Sequence, residues 1–328
     1  MERELLNAIE TEWNAGNACM LATVLSRRGS APRGVGTGMV VSLAGEQVGT
    51  VGGGSMEFRV KQDALTLLAK SECAIKNYEI HADDKSVYSG SVTILFRALA
   101  GKTAKKLVEE MKFALEQQSE AYLVCEIVNG NPGESRVLSA TELCDLCGIA
   151  CPPEQSILTE TDPKWLIEPL RESPRVILFG GGHVAQCMAR QLALLDYRVW
   201  VVEDREEFAV LSLFPAAERV IHSAYDCAEA LVNITKRDHG IVMSRGHETD
   251  YQILRWLLRS DADYIGAIGS KKKIALTKER LLVDGLTESQ FNRLHAPIGL
   301  AISAQTPAEI AVSVAAEMIQ YSACKTAQ

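Results

Sequence analysis

An apolar run that ends in three glycines constrains the fold of this chain more than any other feature. The run belongs to the segment Arg175-Val-Ile-Leu-Phe-Gly-Gly-Gly-His-Val-Ala-Gln-Cys-Met-Ala-Arg190, in which a helical pattern follows the glycines directly. Gly180, Gly182 and Ala185 fill the small-residue positions of G-x-G-x-x-G/A, and Glu203 ends the next apolar run. Such a motif provides a tight turn, close approach of a pyrophosphate and helix–sheet packing. It predicts an anion site at a helix N-terminus.

Apolar runs alternate with helical patterns from residue 175 to the end of the sequence. Strands are predicted at 175–179, 198–202, 219–221, 239–243 and 263–268, and helices at 183–194, 249–259, 272–283 and 307–320. This alternation is typical of a parallel sheet with helices on both faces. We therefore predict an α/β, Rossmann-like, doubly wound domain over residues 175–328.

The first half of the chain mixes helical and strand patterns without that regular alternation. Helices are predicted at 3–15, 55–69 and 103–116, and strands at 18–25, 38–43, 47–51, 73–80, 92–98 and 121–128. We interpret residues 1–140 as an α+β domain. Prolines and glycines interrupt the pattern after residue 128, so residues 141–174 are predicted to form a linker.

Composition argues against two classes of partner. The formal net charge is −8 and no apolar run approaches the length of a membrane helix, which disfavours nucleic-acid and membrane binding. The charged start of the sequence lacks the apolar core of a signal peptide. We expect a cytoplasmic protein whose nine cysteines stay reduced.

A second glycine-rich turn, Gly49-Thr-Val-Gly-Gly-Gly-Ser-Met-Glu57, joins a predicted strand to a predicted helix. Its N–H groups could hold an anion. Arg33, in the preceding Arg27-Arg-Gly-Ser-Ala-Pro-Arg33, offers a fork for a phosphate or carbonyl group. The alternative is a tight loop beside solvated arginines.

Two further turns follow predicted strands of the second half. Met243-Ser-Arg-Gly-His-Glu-Thr-Asp250 brings His247 and Asp250 to the carboxyl edge of the sheet, where α/β proteins bind ligands. Gly266-Ala-Ile-Gly-Ser-Lys-Lys-Lys273 puts three lysines at a helix start, where they oppose the helix dipole but suit an anionic ligand. The alternative for His247 is a purely structural role.

Cys144, Cys147 and Cys151 form the only cysteine cluster. Three thiolates at this spacing could bind zinc or an iron–sulfur cluster, or one could carry sulfur as a persulfide. No fourth ligand is evident nearby. The other interpretation is a linker with incidental cysteines.

Taken in order along the chain, these motifs resemble those of the XdhC/CoxI family of accessory proteins for molybdenum hydroxylases. The matching segments are Gly29–Arg33, Gly49–Glu57, the glycine turn through Glu203-Asp-Arg205, Arg245-Gly-His247 with Asp250, Gly266–Lys271, Pro297-Ile-Gly-Leu300 and Thr306-Pro-Ala-Glu-Ile-Ala311. The sequence departs from the family pattern at three places. Ser55 and Ser89-Gly90-Ser91 stand where many members have cysteines, and Gly299-Leu-Ala301 replaces Gly-Leu-Asp.

The resemblance implies an XdhC/CoxI-type N-terminal domain, a Rossmann domain and binding of molybdenum cofactor in its molybdopterin form. It implies that the protein protects sulfurated cofactor and delivers it to xanthine dehydrogenase or a related hydroxylase, with a cysteine desulfurase as a further partner and a homodimer as its assembly. The two glycine turns are expected to face one cleft. The residues expected to contact the cofactor are Arg33, Gly52, Gly53, Gly54, Ser55, Glu57, Gly180, Gly182, His183, Ala185, Glu203, Asp204, Arg205, His247, Asp250, Gly269, Ser270 and Lys271.

Two alternatives remain at this stage. The chain could be an NAD-dependent oxidoreductase whose N-terminal half binds substrate, with Glu203 accepting the ribose hydroxyls. It could also be a redox or metal sensor built on the cysteine cluster. Because no residue set resembles a nucleophile–base–orienter triad or a familiar dehydrogenase site, we favour a cofactor chaperone over an enzyme.

Overall fold

A computed structural model describes residues 3–29, 33–80, 90–117 and 120–326. The chain divides into two compact units, Met1–Glu172 and Ser173–Gln328. None of the helices within the described ranges is long and apolar enough to cross a membrane.

The first unit contains two antiparallel sheets. The five-stranded sheet has the order β3-β2-β1-β5-β4, and the four-stranded sheet has the order β7-β6-β9-β8. The elements of this unit are α1 (Arg3–Asn14), β1 (Cys19–Gly29), β2 (Gly38–Ser42), β3 (Gln47–Gly49), α2 (Gly54–Lys70), β4 (Ala74–Ile80), β5 (Gly90–Leu99), α3 (Gly101–Glu116), β6 (Ala121–Val128), β7 (Asn131–Ser139), α4 (Ala140–Cys147), β8 (Ile157–Leu158) and β9 (Lys164–Leu170).

Helices cover both faces of the five-stranded sheet. Met20 and Ala22 of β1 pack in the cluster that α2 supplies with Val60, whereas Cys19 and Leu21 pack in the cluster that includes residues of α1 and α3. Successive side chains of a strand point to opposite faces. Double coverage therefore explains why β1 reads as a continuous apolar run.

The segment predicted as a linker, 141–174, is instead part of the first unit. It contains most of α4 together with β8 and β9, and β9 pairs with β6 along its whole length. The sequence pattern did not predict β9, because the segment contains Pro169 and proline is unfavourable inside a strand. It is tolerated because β8 pairs only with Leu166 and Ile167 of β9 and ends before Pro169.

The Asn-Gly pair that precedes this region forms a hairpin turn and does not interrupt the first unit. Asn129 and Gly130, both with positive φ, form a two-residue turn, and Val128 pairs with Asn131 across it. Asn-Gly is the residue pair that such hairpin turns prefer. The turn returns the chain as β7, which then leads directly into α4.

The second unit confirms the predicted parallel sheet. Its elements are β10 (Arg175–Phe179), α5 (His183–Ala193), β11 (Arg198–Glu203), β12 (Arg219–His222), α6 (Ala228–Leu231), β13 (Asp238–Val242), α7 (His247–Leu257), β14 (Tyr264–Ala267), α8 (Lys271–Val283), α9 (Glu288–Phe291), β15 (Leu294–His295) and α10 (Pro307–Thr326). The strand order is β12-β11-β10-β13-β14-β15, with every pair parallel. This is the 3-2-1-4-5-6 order of the doubly wound dinucleotide-binding fold.

Residues of β10 alternate between the two layers that cover the sheet. Val176 and Leu178 pack with α5 and α10, while Ile177 and Phe179 pack with α7 and α8. The predicted start of α10 is also confirmed, because Thr306 Oγ1 accepts from the backbone N–H of Glu309 (3.3 Å) and the Glu309 carboxylate accepts from Thr306 N (2.9 Å). That reciprocal arrangement is a capping box.

A buried ion pair joins the two sheets of the first unit. Arg97 of β5 lies 2.5 Å from Glu168 of β9, and their side chains are 4% and 1% exposed. Arg97 Nη2 also donates to Thr23 Oγ1 at 2.7 Å. Both charges are buried away from water, so each needs the opposite charge of its partner to offset its lost hydration.

Removal of one partner should therefore destabilise the protein strongly. We expect Glu168→Leu to lower the free energy of unfolding by about 3–5 kcal/mol, because it leaves the Arg97 guanidinium buried without a counter-ion. The double variant Arg97→Met/Glu168→Leu should recover most of that loss. Urea unfolding of the three proteins is the measurement, and a double variant no more stable than the single one would contradict this account.

Candidate functional site

The parallel sheet of the second unit has a switch point between β10 and β13. These neighbouring strands lead into α5 and α7, which cover opposite faces of the sheet. The turns after the two strands therefore lead to opposite faces at the carboxyl edge, which is the position where open α/β sheets bind ligands in a crevice. We call this feature the switch-point crevice; it lies between turns 180–182 and 243–246.

The glycines of the first turn have distinct roles. Gly180 has φ +131°, and a Cβ there would lie 2.5 Å from the carbonyl oxygen of Met243 in the opposite turn. Gly182 has φ −70°, no atom lies within 4 Å of the position a Cβ would take, and no side chain caps the helix that follows it. The start of α5 is therefore uncapped, and a helix N-terminus in this state can offer N–H donors to a phosphate.

Ala185, in the third small-residue position, is 1% exposed and packs in the core. His183, the first residue of α5, is exposed. His247 is likewise the exposed first residue of α7, and its helix also begins after a glycine, Gly246, without a side-chain cap. Both α5 and α7 therefore begin with a Gly-His pair, and the strands that precede them are neighbours in the sheet. The sequence patterns did not indicate that these two turns are related.

Glu203, the acid at the end of β11, does not face the crevice. It is 1% exposed, its Oε2 accepts from Gly181 N and from Arg205 Nη2 (3.1 Å), and its Oε1 accepts from the N and Nε of Arg205 (3.1 and 2.6 Å). Burial alone would raise the pKa of this carboxyl, but hydrogen bonds led by those from Arg205 lower the pKa to about 2. Glu203 therefore stays ionised and braces the glycine turn.

Asp204 lies at the same strand end but is 25% exposed. Burial and the adjacent Glu203 raise the pKa of Asp204, and the Arg245 guanidinium acts in the opposite direction. Arg245, from the turn after β13, is exposed. The crevice thus brings an acid from β11 and a cation from the β13 turn within electrostatic range of each other.

Asp250 was expected to face a ligand, but it has a bracing position instead. It is 4% exposed, and its two oxygens accept from Ser244 Oγ and Lys273 Nζ. The contacts tie the turn after β13 to the first turn of α8. Ser244 and Lys273 were missed as members of this network, because nothing local in the sequence pairs them with Asp250.

Residues of the turn before α8 either stabilise the start of the helix or are exposed to solvent. Ser270 caps α8, since its Oγ accepts from Lys273 N at 3.3 Å. Gly269 is half-buried, and Lys271 is exposed at the first position of the helix. Of the three consecutive lysines, Lys273 pairs with Asp250, whereas Lys271 and Lys272 are exposed.

In the first unit, the glycine turn before α2 is filled by the chain's own carboxylate. Glu57 Oε2 accepts from Val51 N (2.9 Å), Gly52 N (3.3 Å), Gly53 N (3.0 Å) and Thr50 Oγ1 (2.5 Å). Its Oε1 accepts from Gln47 Nε2 at 2.9 Å. Partial burial would raise the pKa of Glu57, but these hydrogen bonds lower the pKa to about 2.

The N–H groups predicted to cradle an external anion therefore hold Glu57. Gly53 and Gly54, both with positive φ, shape the turn, and Ser55 is exposed at the start of α2. Arg33 is exposed as well. The preceding Ser30, Ala31 and Pro32 lie outside the described residues, as does Ser89 of the Ser-Gly-Ser segment. That the two glycine turns share a cleft stays a prediction.

The three cysteines of the cluster lie on or just beyond α4. Across the described ranges, no group of three or more His, Cys, Asp or Glu side chains is placed to hold a metal ion. Cys144 and Cys147 are half-buried on α4, and Cys151 is exposed beyond its end. Burial, then Cys144, raises the pKa of Cys147, which favours the protonated thiol over the thiolate.

The fold defines a class: an α/β protein whose second unit is a Rossmann-type parallel sheet. Family models identify the chain more closely. Residues 176–318 match the XdhC Rossmann domain, and residues 12–79 match the XdhC and CoxI family. The chain belongs to the XdhC and CoxI family.

Three curated proteins are similar in sequence. The uncharacterized protein YqeB of Escherichia coli K12 is 33% identical over 147 residues, but the match spans only 27% of its length. A Bacillus subtilis protein named as a probable xanthine dehydrogenase component is 26% identical, covering 92% of each chain. The molybdenum cofactor insertion chaperone PaoD of E. coli K12 is 22% identical, covering 93% of this chain and 83% of PaoD.

A solved structure shares the fold along nearly the whole chain. It is a Bacillus halodurans protein described as a xanthine dehydrogenase, with a TM-score of 0.82 and 21% sequence identity. The alignment covers 97% of this chain and 96% of that one.

The carboxylate in the first glycine turn leads to a prediction about acid stability. We expect Glu57→Gln to lower the free energy of unfolding at pH 7 by about 1–3 kcal/mol, because the amide offers one acceptor oxygen where the carboxylate offers two. The folded-state pKa lies below the ordinary 4.5, so this stabilisation is complete above pH 4.5 and is lost as pH falls towards 2. The difference between parent and variant should shrink over that range.

Urea unfolding between pH 7 and about pH 2.5 measures both effects, since that range spans most of the titration. Glu46→Gln is the matched control, because Glu46 is an exposed acid of the same region. Equal stability of parent and Glu57→Gln at pH 7 would show that the carboxylate does not hold the turn.

Proposed function

We propose that this chain is an accessory protein of molybdenum hydroxylases, which binds molybdenum cofactor as cargo and supports its insertion into a client enzyme. The observation that carries the proposal is similarity along almost the whole chain to PaoD, a molybdenum cofactor insertion chaperone, and to the probable xanthine dehydrogenase component of B. subtilis. The finer role that we propose is protection of the sulfurated cofactor and its delivery to a xanthine dehydrogenase-like client.

The switch-point crevice has features that suit a phosphorylated cargo. Gly182 and the uncapped start of α5 leave backbone donors facing open space. Arg245, His247 and Lys271 supply exposed cationic or proton-donating side chains around the same edge of the sheet. Helix N-termini with such neighbours bind phosphate groups through N–H donors and positive dipole.

The competing oxidoreductase hypothesis requires NAD, and one observation weighs against it. Glu203, the acid that would accept the ribose hydroxyls, already accepts four hydrogen bonds from its own chain. Cargo binding does not need that acid. A desulfurase partner, a homodimer and a cytoplasmic location are further parts of the proposal.

Reconstitution of a hydroxylase tests the proposal directly. A molybdenum hydroxylase without cofactor should regain more activity when cofactor is supplied together with this protein, and the protein alone should retain pterin after gel filtration. Bovine serum albumin at the same concentration controls for non-specific protection. Equal recovery with both proteins, and no retained pterin, would refute the proposed function.

The crevice itself can be tested with one glycine. Gly182→Val should weaken cofactor binding at least tenfold while the protein stays folded, because φ at this position suits any residue and the added methyls enter the space next to the α5 N-terminus. Gly180→Ala should instead lower the melting temperature, since its Cβ would meet the Met243 carbonyl. Unchanged cofactor affinity in Gly182→Val would show that no phosphate group of the cofactor binds at this turn.

A further inference from the structure

The turn after β15 carries the motif Pro297-Ile-Gly-Leu300, which lies outside the switch-point crevice. Because all strands of this sheet are parallel, the turn lies at the carboxyl edge, as the glycine turns do. It packs against β14, since Ile298 N donates to the carbonyl oxygen of Ala267 at 3.0 Å. The turn therefore borders the segment that leads from β14 into α8.

One carboxylate fixes this turn to the rest of the second unit. Glu317 of α10 has a side chain that is 15% exposed. Its Oε2 accepts from Gly299 N at 2.6 Å, and its Oε1 accepts from the Tyr264 hydroxyl at 2.6 Å. His295 Nδ1 lies 3.2 Å from the same Oε1. A single side chain of α10 thus contacts β14, β15 and the turn that follows β15.

Tyr264 and His295 hold the Glu317 carboxylate in one orientation. Tyr264 is 1% exposed, and burial, then the hydrogen bond to Glu317, raises the pKa of Tyr264, so its hydroxyl stays protonated and donates. The His295 ring stacks on the Tyr264 ring, with centroids 4.4 Å apart and an angle of 28° between the planes. The acceptor of Gly299 N is therefore fixed from the opposite side by two rings.

Ser313, one helical turn before Glu317 on α10, is a second anchor. Its Oγ donates to the carbonyl oxygen of Leu300 at 2.7 Å, and Leu300 N donates to the carbonyl oxygen of Ser313 at 3.2 Å. Gly299 has φ +105°, and a Cβ there would meet Ser313 Oγ, so this position requires glycine. The N–H groups of Ile298, Gly299 and Leu300 all donate within the chain. What these three residues offer a ligand is therefore a fixed shape.

The anchored turn leads into an exposed apolar side chain. Ile302 is 51% exposed, and its N–H donates to the carbonyl oxygen of Leu300 at 2.8 Å. The segment stays at the carboxyl edge, because α10 begins at Pro307 and its last turns contact Asp263, which precedes β14 at the opposite edge. Exposed apolar surface at a ligand-binding edge suits the uncharged ring face of an organic ligand.

We propose that Glu317 is a positioning residue of the cargo site and that Ile302 forms an apolar wall of that site. Glu317 acts through Gly299: it fixes the turn, and the turn sets where Ile302 lies. The ligand class that this wall suits is an organic cofactor with a flat ring system, one face of which loses its water against Ile302. The ring is identified as the pterin of molybdenum cofactor only through the proposed function, on which this inference rests.

Binding of purified molybdenum cofactor to the full-length protein tests the role of Ile302. Ile302→Ser should lower the cofactor affinity about tenfold, because the ring loses its apolar contact. The melting temperature should not change, since the side chain is exposed in the free protein. Gln320→Ala, a change at an exposed position of α10, is the control and should leave affinity and melting temperature as in the parent.

Hydrogen exchange and cofactor affinity, measured on the same preparations, test the role of Glu317. Glu317→Ala should speed exchange of the Gly299 and Leu300 amides and lower the cofactor affinity about tenfold, because the turn loses its acceptor. Glu317→Gln should restore both properties towards those of the parent, since its amide oxygen still accepts from Gly299 N. A purely structural role would change exchange and melting temperature without a matching change in affinity.

Two results would overturn the inference. One is parental cofactor affinity in Ile302→Ser, and the other is faster amide exchange in Glu317→Ala with unchanged affinity. If Glu317→Ala does not fold, Ile302→Ser still decides, because its substitution is at an exposed position.

These failures are distinguishable from failure of the proposed function. If the parent protein binds cofactor and raises hydroxylase reconstitution while the Ile302 and Glu317 variants behave like it, only the inference is wrong. If the parent neither retains cofactor nor raises reconstitution, the proposed function falls and the inference falls with it.

Discussion

Both glycine turns of this protein depend on one constraint: backbone N–H groups at the start of a helix must find acceptors. In each unit a carboxylate from the chain meets it. Glu57 accepts from three consecutive N–H groups before α2, and Glu203 accepts from Gly181 before α5. By accepting these hydrogen bonds, the two acids stabilise the glycine turns that connect a strand to the following helix. They also decide which N–H groups remain for a ligand.

That division separates two sites that look alike in sequence. In the turn before α2 the N–H groups of Val51, Gly52 and Gly53 donate to Glu57, although α2 begins without a side-chain cap, as α5 does. In the turn before α5, Gly180 N donates to the carbonyl oxygen of Val202 and Gly181 N donates to Glu203, while the space that a Cβ on Gly182 would enter is open. Each turn therefore has fewer N–H groups available to a ligand than its glycine pattern alone suggests. Asp250 has a similar effect, because it takes Lys273 out of the exposed lysine group.

Apolar clusters stabilise both units, but the first unit adds a buried ion pair. Its two sheets are joined by apolar contacts and also by the Arg97–Glu168 pair. Buried pairs of this kind contribute little net stability compared with apolar packing, but the loss of one partner is costly. The pair therefore holds β5 and β9 together in a way that tolerates few single substitutions.

Local sequence patterns determined the Rossmann unit almost entirely, because alternating apolar runs, G-x-G-x-x-A and Thr306-Pro307 act over neighbouring residues. They also determined where the glycine turns and candidate cations stand in the chain. Only the tertiary structure showed that β9 is a strand despite its proline. It also showed that Glu57 and Glu203 bind the backbone of their own glycine turns and that Asp250 pairs with Lys273. The physical reason is that contacts between residues distant in sequence determine the hydrogen-bond partner of a side chain. A glutamate that binds a ligand and a glutamate that binds its own backbone therefore look identical in the sequence.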